Sequence, residues 1–599
     1  MKNKTSNCQL SQQNESRFGK NLITNLQTDW KVRCINCFFG FFWIYALVSA
    51  IFQPFKNDCL VFWAWAQKVY DSPLSGLDAI ESVWEIKGLL SRLIYYHLYA
   101  FTRLFTSDLF PHGFIVFTLI GFLEINLILG AATLLVPNQY VNSGKMRLNL
   151  YFFLSLAVST LNRMCNLQPE VWGFALLFLS FVLYLRGNWR GKVSGGIILG
   201  LTFFLKTPLL LLSGSAFFAA LLIEKRNFKE GIGVILPYAV SAFITVVLLF
   251  VLIGWAYPQE IQDIADAAYF QPTLIHFGPL KILRYIGNGV AKFWEMPLNL
   301  PVLCLGGVSF VLFITNKKLS ECLYMMGMWL FPYLYVVVSN CYFIYHFVVF
   351  LFAAVLTFYL TKNYWSKMMT KRMPVGLWIV FLIAFGCSFR PAFELFSRIR
   401  NMLFLVPYII MTFALVEKWR TKVLSCGVLF LVFTFVSTTS SFSYPQKQTK
   451  EKMRFSIEKN KQNGYCMGAE LGEGSILQLN YGIGSLWFSN PTYLRYMYPL
   501  IIQRNDESSP FAQSNTFTKT KKEILDYQGE YIALAPEWFF IREHNEIRTF
   551  IDENYYTFDT IYYSPYDYNL FNFYNLKDLK LCLLKRKDPN NNKELETIE

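Results

Sequence analysis

Charged side chains are scarce in this chain of 599 residues. Asp, Glu, Lys and Arg make up 16% of it, whereas a soluble domain carries about 25%. Hydrophobic residues account for 54% and gather in long runs, such as 38–50, 151–160 and 423–436. This balance excludes an ordinary soluble enzyme and indicates an integral membrane protein.

Motifs that hold metals or nucleotides are also missing. The 12 Cys are scattered. One pair, Cys34 and Cys37, has CxxC spacing at the start of the first apolar run, but no second such pair and no His–Cys spacing typical of a metal site accompanies it. No cofactor is therefore indicated, although a divalent metal stays possible. The chain has no P-loop glycine motif, which argues against an ATP-driven pump, and it has no internal repeat.

The net charge of +15 comes from basic residues dispersed in short turns between the apolar runs. That placement fits the positive-inside rule better than a nucleic-acid footprint, so we expect the lipid bilayer as a partner and no nucleic acid. The pattern predicts a polytopic α-helical membrane protein of about thirteen transmembrane helices, several of them shorter than the ~20 residues of a perpendicular span.

The order of basic turns and long loops predicts the topology. Residues 1–34 form a basic cytoplasmic tail, and residues 35–437 form the membrane domain, with long external loops at 56–111 and 254–300. Residues 193–205 and 208–223 are interpreted as a hairpin with Lys206 at its external tip. One long kinked helix is the alternative, and it would invert everything downstream.

Residues 438–599 contain no apolar run long enough to cross a membrane. Four short segments are typical of strands, and two further segments are typical of helices. The strand segments are 475–478, 531–535, 558–563 and 579–584, and the helical segments are 519–527 and 550–556. We therefore expect a soluble, extracytoplasmic α/β domain at the C-terminus.

The first external loop carries a candidate base. Asp58 directly follows the first apolar run and precedes an aromatic segment, 61–70, which is expected to be an interfacial amphipathic helix. A second such helix, at 85–105, carries Lys87 and Arg92. A carboxylate at the membrane surface suits a general base acting on a lipid-linked substrate, but capping of the following helix explains Asp58 equally well.

Other candidates lie in the remaining external turns. Glu170 begins a transmembrane helix, Lys206 lies at a hairpin tip, and His346 begins another helix. Each has an ordinary alternative: interaction with a helix N-terminus, snorkelling, or packing. Arg390 and Arg398 form an external cationic cluster that runs against the positive-inside trend. Arginine forks bind phosphate, so a lipid phosphate is one ligand for them and anionic headgroups are the other.

This layout resembles the GT-C superfamily of membrane glycosyltransferases, which use polyprenyl- or dolichyl-phosphate sugars and include protein mannosyltransferase and aminoarabinose transferase types. The resemblance lies in the cytoplasmic N-terminus, the large first external loop with Asp58 just after the first helix, the amphipathic helices within that loop and the external C-terminal domain. Many relatives have an acidic pair at this place, whereas here Asn57 precedes Asp58.

The resemblance implies transfer of a sugar from a polyprenyl-phosphate donor to a hydroxyl of a glycan, lipid or protein acceptor, with inversion. Asp58 would act as base, while Arg390, helped by Lys206 or Arg398, would neutralise the departing phosphate. Lys87, Arg92, Glu170 and His346 are further candidates for substrate binding. The expected location is the plasma (inner) membrane. The alternatives are a transporter or flippase of lipid-linked sugars, and a polysaccharide ligase or polymerase.

Overall fold

The described part of the chain consists of helices with one small sheet near the C-terminus. The computed structural model describes residues 57–83, 88–106, 112–141, 144–161, 167–224, 228–270, 309–310, 313, 319–339, 344–370, 460–462, 468, 470–480, 487–496, 510–536, 545–563 and 579–588. The first helices are α1 (Asn57–Tyr70), α2 (Gly76–Ser82), α3 (Leu89–Arg103), α4 (His112–Leu135), α5 (Gly144–Leu161) and α6 (Pro169–Leu185). They are followed by α7 (Trp189–Leu201), α8 (Leu211–Glu224), α9 (Phe228–Ala256), α10 (Pro258–Phe270), α11 (Leu319–Ser339) and α12 (Phe350–Thr370).

Some of these helices are long and apolar enough to cross a membrane. Within the described residues they are His112–Leu135, Thr207–Glu224 and Lys229–Ala256, and shorter apolar helices occupy Pro169–Leu185 and Phe350–Thr361. The spans predicted within 35–55, 375–388, 402–416 and 423–436 lie outside the described residues. The number thirteen therefore stays a prediction.

The chain reverses direction between α7 and α8. The Tyr184 hydroxyl, near the end of α6, donates to Glu224 at the end of α8 over 3.0 Å. At the opposite end of the same helices, Lys206 reaches Glu170 at the start of α6. Two 3-10 turns, Thr202–Phe204 and Thr207–Leu210, flank Lys206, whose own backbone is extended. A single kinked helix could not make both contacts, so this part of the chain is a hairpin.

Glycines let α7 pack closely on two neighbouring helices. A Cβ on Gly195 would lie 2.5 Å from the Ser180 carbonyl oxygen of α6, and one on Gly196 would lie 2.3 Å from the Tyr238 carbonyl oxygen of α9. Gly200, one turn further along, approaches the α9 backbone in the same way. Membrane helices use small residues spaced four apart for this purpose. α7 is therefore in near backbone contact with α6 and α9.

The aromatic segment of the first loop is buried in protein. The Trp63 ring packs 4.6 Å from the Tyr99 ring of α3 and meets Phe117 of α4 edge-on at 5.4 Å. Trp65 donates from its indole to the Val83 carbonyl and is fully buried. Because the side chains from 61 to 67 are all buried, α1 is enclosed rather than amphipathic, and the expectation of an interfacial helix at 61–70 is wrong.

A four-stranded mixed sheet lies near the C-terminus, with strand order β1-β2-β4-β3. β1 pairs with β2 in parallel, while β4 runs antiparallel to both β2 and β3. The bounds are β1 (Leu477–Leu479), β2 (Tyr531–Leu534), β3 (Tyr555–Tyr563) and β4 (Leu579–Arg586), with helices α13 (Asn515–Leu525) and α14 (Asn545–Asn554). All four predicted strands are present. The helix predicted at 550–556 is wrong at its end, because β3 already begins at Tyr555.

The segment 487–496 connects this sheet region to the first loop and to α10. Lys68 at the end of α1 donates to the carbonyl oxygens of Phe488 and Asn490. The Tyr496 hydroxyl donates to Asp263 of α10 over 2.7 Å. These contacts place the C-terminal region at the same end of the helices as Lys206, because α10 follows directly on the end of α9.

Candidate active site

A buried carboxylate stands at the start of α6. Glu170 follows Pro169, the first residue of the helix, where the fixed backbone angle of proline suits a helix start. A carboxylate in the first turn also interacts favourably with the helix dipole. Its side chain is fully buried, so its negative charge requires partners supplied by the fold.

Lys206 is the cationic partner of Glu170. Its Nζ donates to Glu170 Oε1 over 2.7 Å, and the lysine side chain is 19% exposed whereas the glutamate is 0% exposed. The ammonium also lies 5.7 Å from the centre of the Tyr335 ring, within the range of a cation–π interaction. One side of the ammonium is thus held by protein, while the side chain keeps access to solvent or a ligand.

His346 joins the same cluster from the 3-10 helix Ile344–Val349. Its Nε2 lies 3.1 Å from Glu170 Oε1 and 3.3 Å from Lys206 Nζ. The ring is almost fully buried, and it meets the Tyr335 ring edge-on at 5.9 Å. The structure therefore brings together three of the residues singled out from the sequence: Glu170, Lys206 and His346.

Tyr335 is the residue that the sequence did not reveal. Its hydroxyl donates to Glu170 Oε1 over 2.6 Å, and its side chain is fully buried. It lies near the end of α11, within the apolar run LFPYLYVVV. No sequence motif marks it among the 35 tyrosines of the chain. The one available signal was a hydroxyl in a predicted membrane helix, one turn before a predicted external loop.

Glu170, Lys206, Tyr335 and His346 will be called the Glu170 cluster. Its geometry fixes the carboxylate through several donors and orients the lysine ammonium. Bonds of this kind, between a charged group and its partners, are the short and strong ones. Chemically, the arrangement offers an oriented cation at the end of a helix bundle, suited to receiving an anion such as a phosphate.

The start of α1 lies close to the Glu170 cluster. The Leu167 backbone N–H donates to Cys59 Sγ over 3.3 Å, and Leu167 precedes Glu170 by three positions. Asp58 is the neighbour of Cys59 in the first turn of α1. Its side chain lies outside the described set, so the placement rests on the backbone alone.

Arg92 lies in a different cluster of charges. Its guanidinium is fully buried, pairs with Glu81 at 3.5 Å and forms a second ion pair with Glu260. Arg495, from the C-terminal region, pairs with the same two carboxylates at 3.0 and 3.5 Å and with Asp263 at 3.2 Å. The Arg92 guanidinium thus belongs to this charge cluster and not to the Glu170 cluster. Its predicted role in phosphate binding stays a prediction.

Burial shifts the acids of this charge cluster. The pKa of Glu81 is raised to about 7. Burial is the main cause, Arg92 opposes the rise, and the nearby Glu260 carboxylate adds to it. Burial also raises the pKa of Asp263, although Arg495 and the hydrogen bond from Tyr496 oppose the rise. Below about pH 7 Glu81 therefore keeps a proton that an ordinary carboxylate would already have lost.

The remaining candidates lie outside the described residues. They are Lys87, Arg390 and Arg398. Within the described ranges, no group of three or more His, Cys, Asp and Glu side chains has the arrangement of a metal site. The predicted possibility of a divalent metal is therefore left without a described set of ligands.

No model of a known protein family matches this chain, and no curated protein matches it either. Among solved structures, it is similar to ArnT from Cupriavidus metallidurans bound to undecaprenyl phosphate, at 11% identity and a TM-score of 0.49, covering 92% of this chain and 97% of that one. It is also similar to the Archaeoglobus fulgidus oligosaccharyltransferase in its apo form, at 12% identity and a TM-score of 0.43, covering 86% and 70%.

A third similar structure is the archaeal oligosaccharyltransferase AglB from Archaeoglobus fulgidus in complex with an inhibitory peptide and a dolichol-phosphate. The identity is 10% and the TM-score 0.40, and the match covers 90% of this chain and 74% of that one.

Proposed function

We propose that this protein is an integral membrane glycosyltransferase, which moves a sugar from a polyprenyl-phosphate donor to an acceptor hydroxyl with inversion. The observation that carries the proposal is the Glu170 cluster. Lys206 is oriented by Glu170 over 2.7 Å and remains 19% exposed at the end of the helix bundle. In this proposal the phosphate of the membrane lipid lies at the same end of the bundle as Lys206.

A lipid phosphate suits this cation for a chemical reason. When the bond between the anomeric carbon and the phosphate oxygen breaks, the phosphate leaves as a stable anion and gains negative charge as it departs. An oriented ammonium stabilises that developing charge more than it stabilises the bound donor, which lowers the barrier. Lys206 takes this role in the proposal, with Arg390 and Arg398 as further cations.

The attacking hydroxyl requires a base. Asp58 takes the proton of the acceptor hydroxyl as its oxygen bonds to the anomeric carbon. The position of Asp58 at the start of α1 supports this role. The next residue, Cys59, accepts a hydrogen bond from the backbone of Leu167, three positions before Glu170. One displacement of this kind inverts the anomeric configuration, so a product with retained configuration would refute the mechanism.

Several finer assignments belong to the same proposal. The protein would reside in the plasma membrane, with its C-terminal sheet region on the extracytoplasmic side. The acceptor would be a glycan, lipid or protein, and Lys87 and His346 would contribute to substrate binding. The placement of the C-terminal region at the same end of the bundle as Lys206 supports a role in holding the acceptor.

The test is sugar transfer in proteoliposomes from a panel of radiolabelled polyprenyl-phosphate sugars. Wild type is compared with Asp58→Asn, Lys206→Met and the matched control Lys229→Met, whose lysine is exposed at the start of α9. We expect transfer or donor hydrolysis in the wild type and control, and a loss of at least about 100-fold in the other two.

The same assay discriminates the alternatives. If wild-type protein moves the labelled donor across the bilayer without consuming it, the protein is a transporter or flippase. If it consumes only undecaprenyl-diphosphate-linked glycan chains, joining them into polymers or to a lipid acceptor, it is a ligase or polymerase. Either result would overturn the proposed function.

A further inference from the structure

The backbone beside Lys206 is held by the first loop through two hydrogen bonds to one atom. The Gly88 backbone N–H donates to the Leu205 carbonyl oxygen over 3.0 Å. The Ser91 hydroxyl donates to the same oxygen over 2.7 Å, and Ser91 is almost fully buried. Leu205 is the residue directly before Lys206, so the start of α3 fixes the peptide from which the lysine side chain emerges.

Gly88 shows how closely the two segments pack. A Cβ on Gly88 would lie 2.2 Å from the Phe204 carbonyl oxygen, a distance that forbids any side chain. The two backbones therefore touch directly at this point. A shift of α3 must displace the segment that carries Lys206 or break both hydrogen bonds.

The residue after Ser91 connects the same helix to the C-terminal region. Arg92 shares the carboxylates of Glu81 and Glu260 with Arg495, so the two guanidiniums are joined through common acidic partners. Glu260 is fully buried and Glu81 is 8% exposed. Removing one cation from such a buried cluster leaves a carboxylate without compensation, which displaces its neighbours.

Arg495 belongs to the segment 487–496, which is anchored independently of the charges that contact Arg92. Lys68 holds the carbonyl oxygens of Phe488 and Asn490, and the Tyr496 hydroxyl bonds to Asp263. The segment is thus fixed at several points on the first loop and α10. Through Glu81 and Glu260, Arg495 links the docked segment to Arg92 near the start of α3.

We propose that Ser91 and Arg495 are positioning residues for Lys206, with α3 transmitting the docking of segment 487–496 to the Leu205–Lys206 backbone. Neither residue touches the Glu170 cluster. Undocking of the segment removes Arg495 and leaves Glu81 and Glu260 to Arg92 alone; the uncompensated charge shifts α3 and loosens the hold on the Leu205 carbonyl. The orientation of the Lys206 ammonium then relaxes. The meaning of this orientation for catalysis rests on the proposed function, whereas the coupling itself does not.

The coupling is tested without any substrate by the reactivity of Lys206 towards N-hydroxysuccinimidyl acetate, followed by peptide mass spectrometry on protein in nanodiscs. Exposed Lys229 is the internal reference. Loss of a hydrogen bond of about 1 kcal/mol corresponds to about fivefold, so Ser91→Ala and Arg495→Met should each raise the Lys206 rate relative to Lys229 about fivefold. A purely structural role would raise both rates together and refute the proposal.

Matched controls remove the same groups elsewhere. Ser241→Ala deletes a hydroxyl that donates to the Pro237 carbonyl oxygen within α9, and Arg548→Met deletes an exposed ion pair on α14. Both should leave the rate ratio unchanged. Because Arg495→Met risks misfolding, Tyr496→Phe loosens the same segment without removing a charge and should raise the ratio about twofold. An unchanged ratio in Tyr496→Phe and Arg495→Met would overturn the transmission.

A double variant separates a chain of contacts from two independent effects. If α3 transmits the docking, Ser91→Ala combined with Arg495→Met should raise the ratio little more than either change alone, about fivefold rather than 25-fold. A multiplicative effect contradicts the proposal.

Binding of farnesyl phosphate, used as a probe for prenyl phosphates, then relates the coupling to function. We expect both single variants to weaken binding about fivefold. If wild type does not bind farnesyl phosphate, the proposed function fails, and the acylation ratio still decides the positioning. Normal farnesyl phosphate binding in variants with a raised Lys206 ratio would refute the claim that the positioning serves the phosphate.

Discussion

The Tyr335 hydroxyl donates to Glu170 across 165 positions of sequence, over 2.6 Å. The bond joins the end of α11 to the start of α6 and fixes a carboxylate that also orients Lys206. Both side chains are fully buried, so the contact excludes water from the protein side of the ammonium. Lys206, the proposed phosphate-binding cation, is therefore oriented by Glu170 and Tyr335, which can act without contacting the substrate.

Tyr335→Phe should weaken transfer without abolishing it. The change removes one donor to a buried carboxylate, which costs about 1.5–3 kcal/mol for a charged partner. Part of that loss falls on folding and part on the orientation of Lys206. Sugar transfer and the thermal unfolding midpoint in detergent measure the two parts. Tyr333→Phe on the same helix is the control, and an equal loss there would show that the bond to Glu170 is not the cause.

Lys206→Met should destabilise the protein because Glu170 would keep a buried charge with less compensation. Breaking a buried ion pair costs on the order of 3 kcal/mol. Adding Glu170→Gln removes that charge, so the double variant should recover most of the unfolding midpoint. Its transfer activity should stay absent, because the cation is still missing. Recovery of transfer in the double variant would show that Lys206 serves the fold alone.

The charge cluster predicts a pH dependence of stability. Burial raises the pKa of Glu81 from an ordinary 4.5 to about 7. Between these values the unfolded chain loses the proton and the folded protein keeps it, so stability falls as the pH rises from about 4.5 to about 7. Glu81→Gln carries no such proton. The midpoint of the variant, relative to wild type, should therefore be higher at pH 8 than at pH 5, and an opposite trend would contradict the raised pKa.

Two glycine substitutions should act in opposite directions. Gly88→Ala places a Cβ 2.2 Å from a carbonyl oxygen, and overpacking of this kind costs about 3 kcal/mol. Gly233→Ala, in α9, meets nothing within 4 Å and should stabilise the helix by about 0.5–1 kcal/mol. Thermal unfolding in detergent compares them. A tolerated Gly88→Ala would mean that α3 does not lie against the backbone at 204–205.

Local pattern predicted much of the architecture. Apolar runs and basic turns predicted the helices at 113–136, 148–161, 171–185 and 231–253 to within a few residues. Such runs are informative because a helix that crosses a bilayer needs about 20 consecutive apolar residues. The four strands near the C-terminus were predicted from short apolar stretches in a region without long apolar runs. Residues 61–70 were misassigned because an aromatic helix has the same sequence pattern whether it packs on lipid or on protein. The contacts of Trp63 with Tyr99 and Phe117 show that protein covers it.

The candidate site was predictable only in part. Glu170, Lys206 and His346 drew notice because charged or titratable groups beside membrane helices are uncommon. Tyr335 carries no charge and lacked that signal. Arg495 and Glu81, which meet in the other cluster, are 414 positions apart in the sequence. Contacts of that separation depend on tertiary structure, which periodicity and spacing do not encode.

The glycines of α7 carry a consequence for how this protein tolerates change. Gly195, Gly196 and Gly200 hold no chemistry, yet each faces a neighbouring backbone at less than the width of a methyl group. A saturation library scored for folded yield should therefore show this helix among the least permissive segments, while the exposed leucines of α9, such as Leu248 and Leu252, accept most apolar residues. The positions most sensitive to mutation will therefore be those where helix backbones lie closest together, and not only those of the proposed active site.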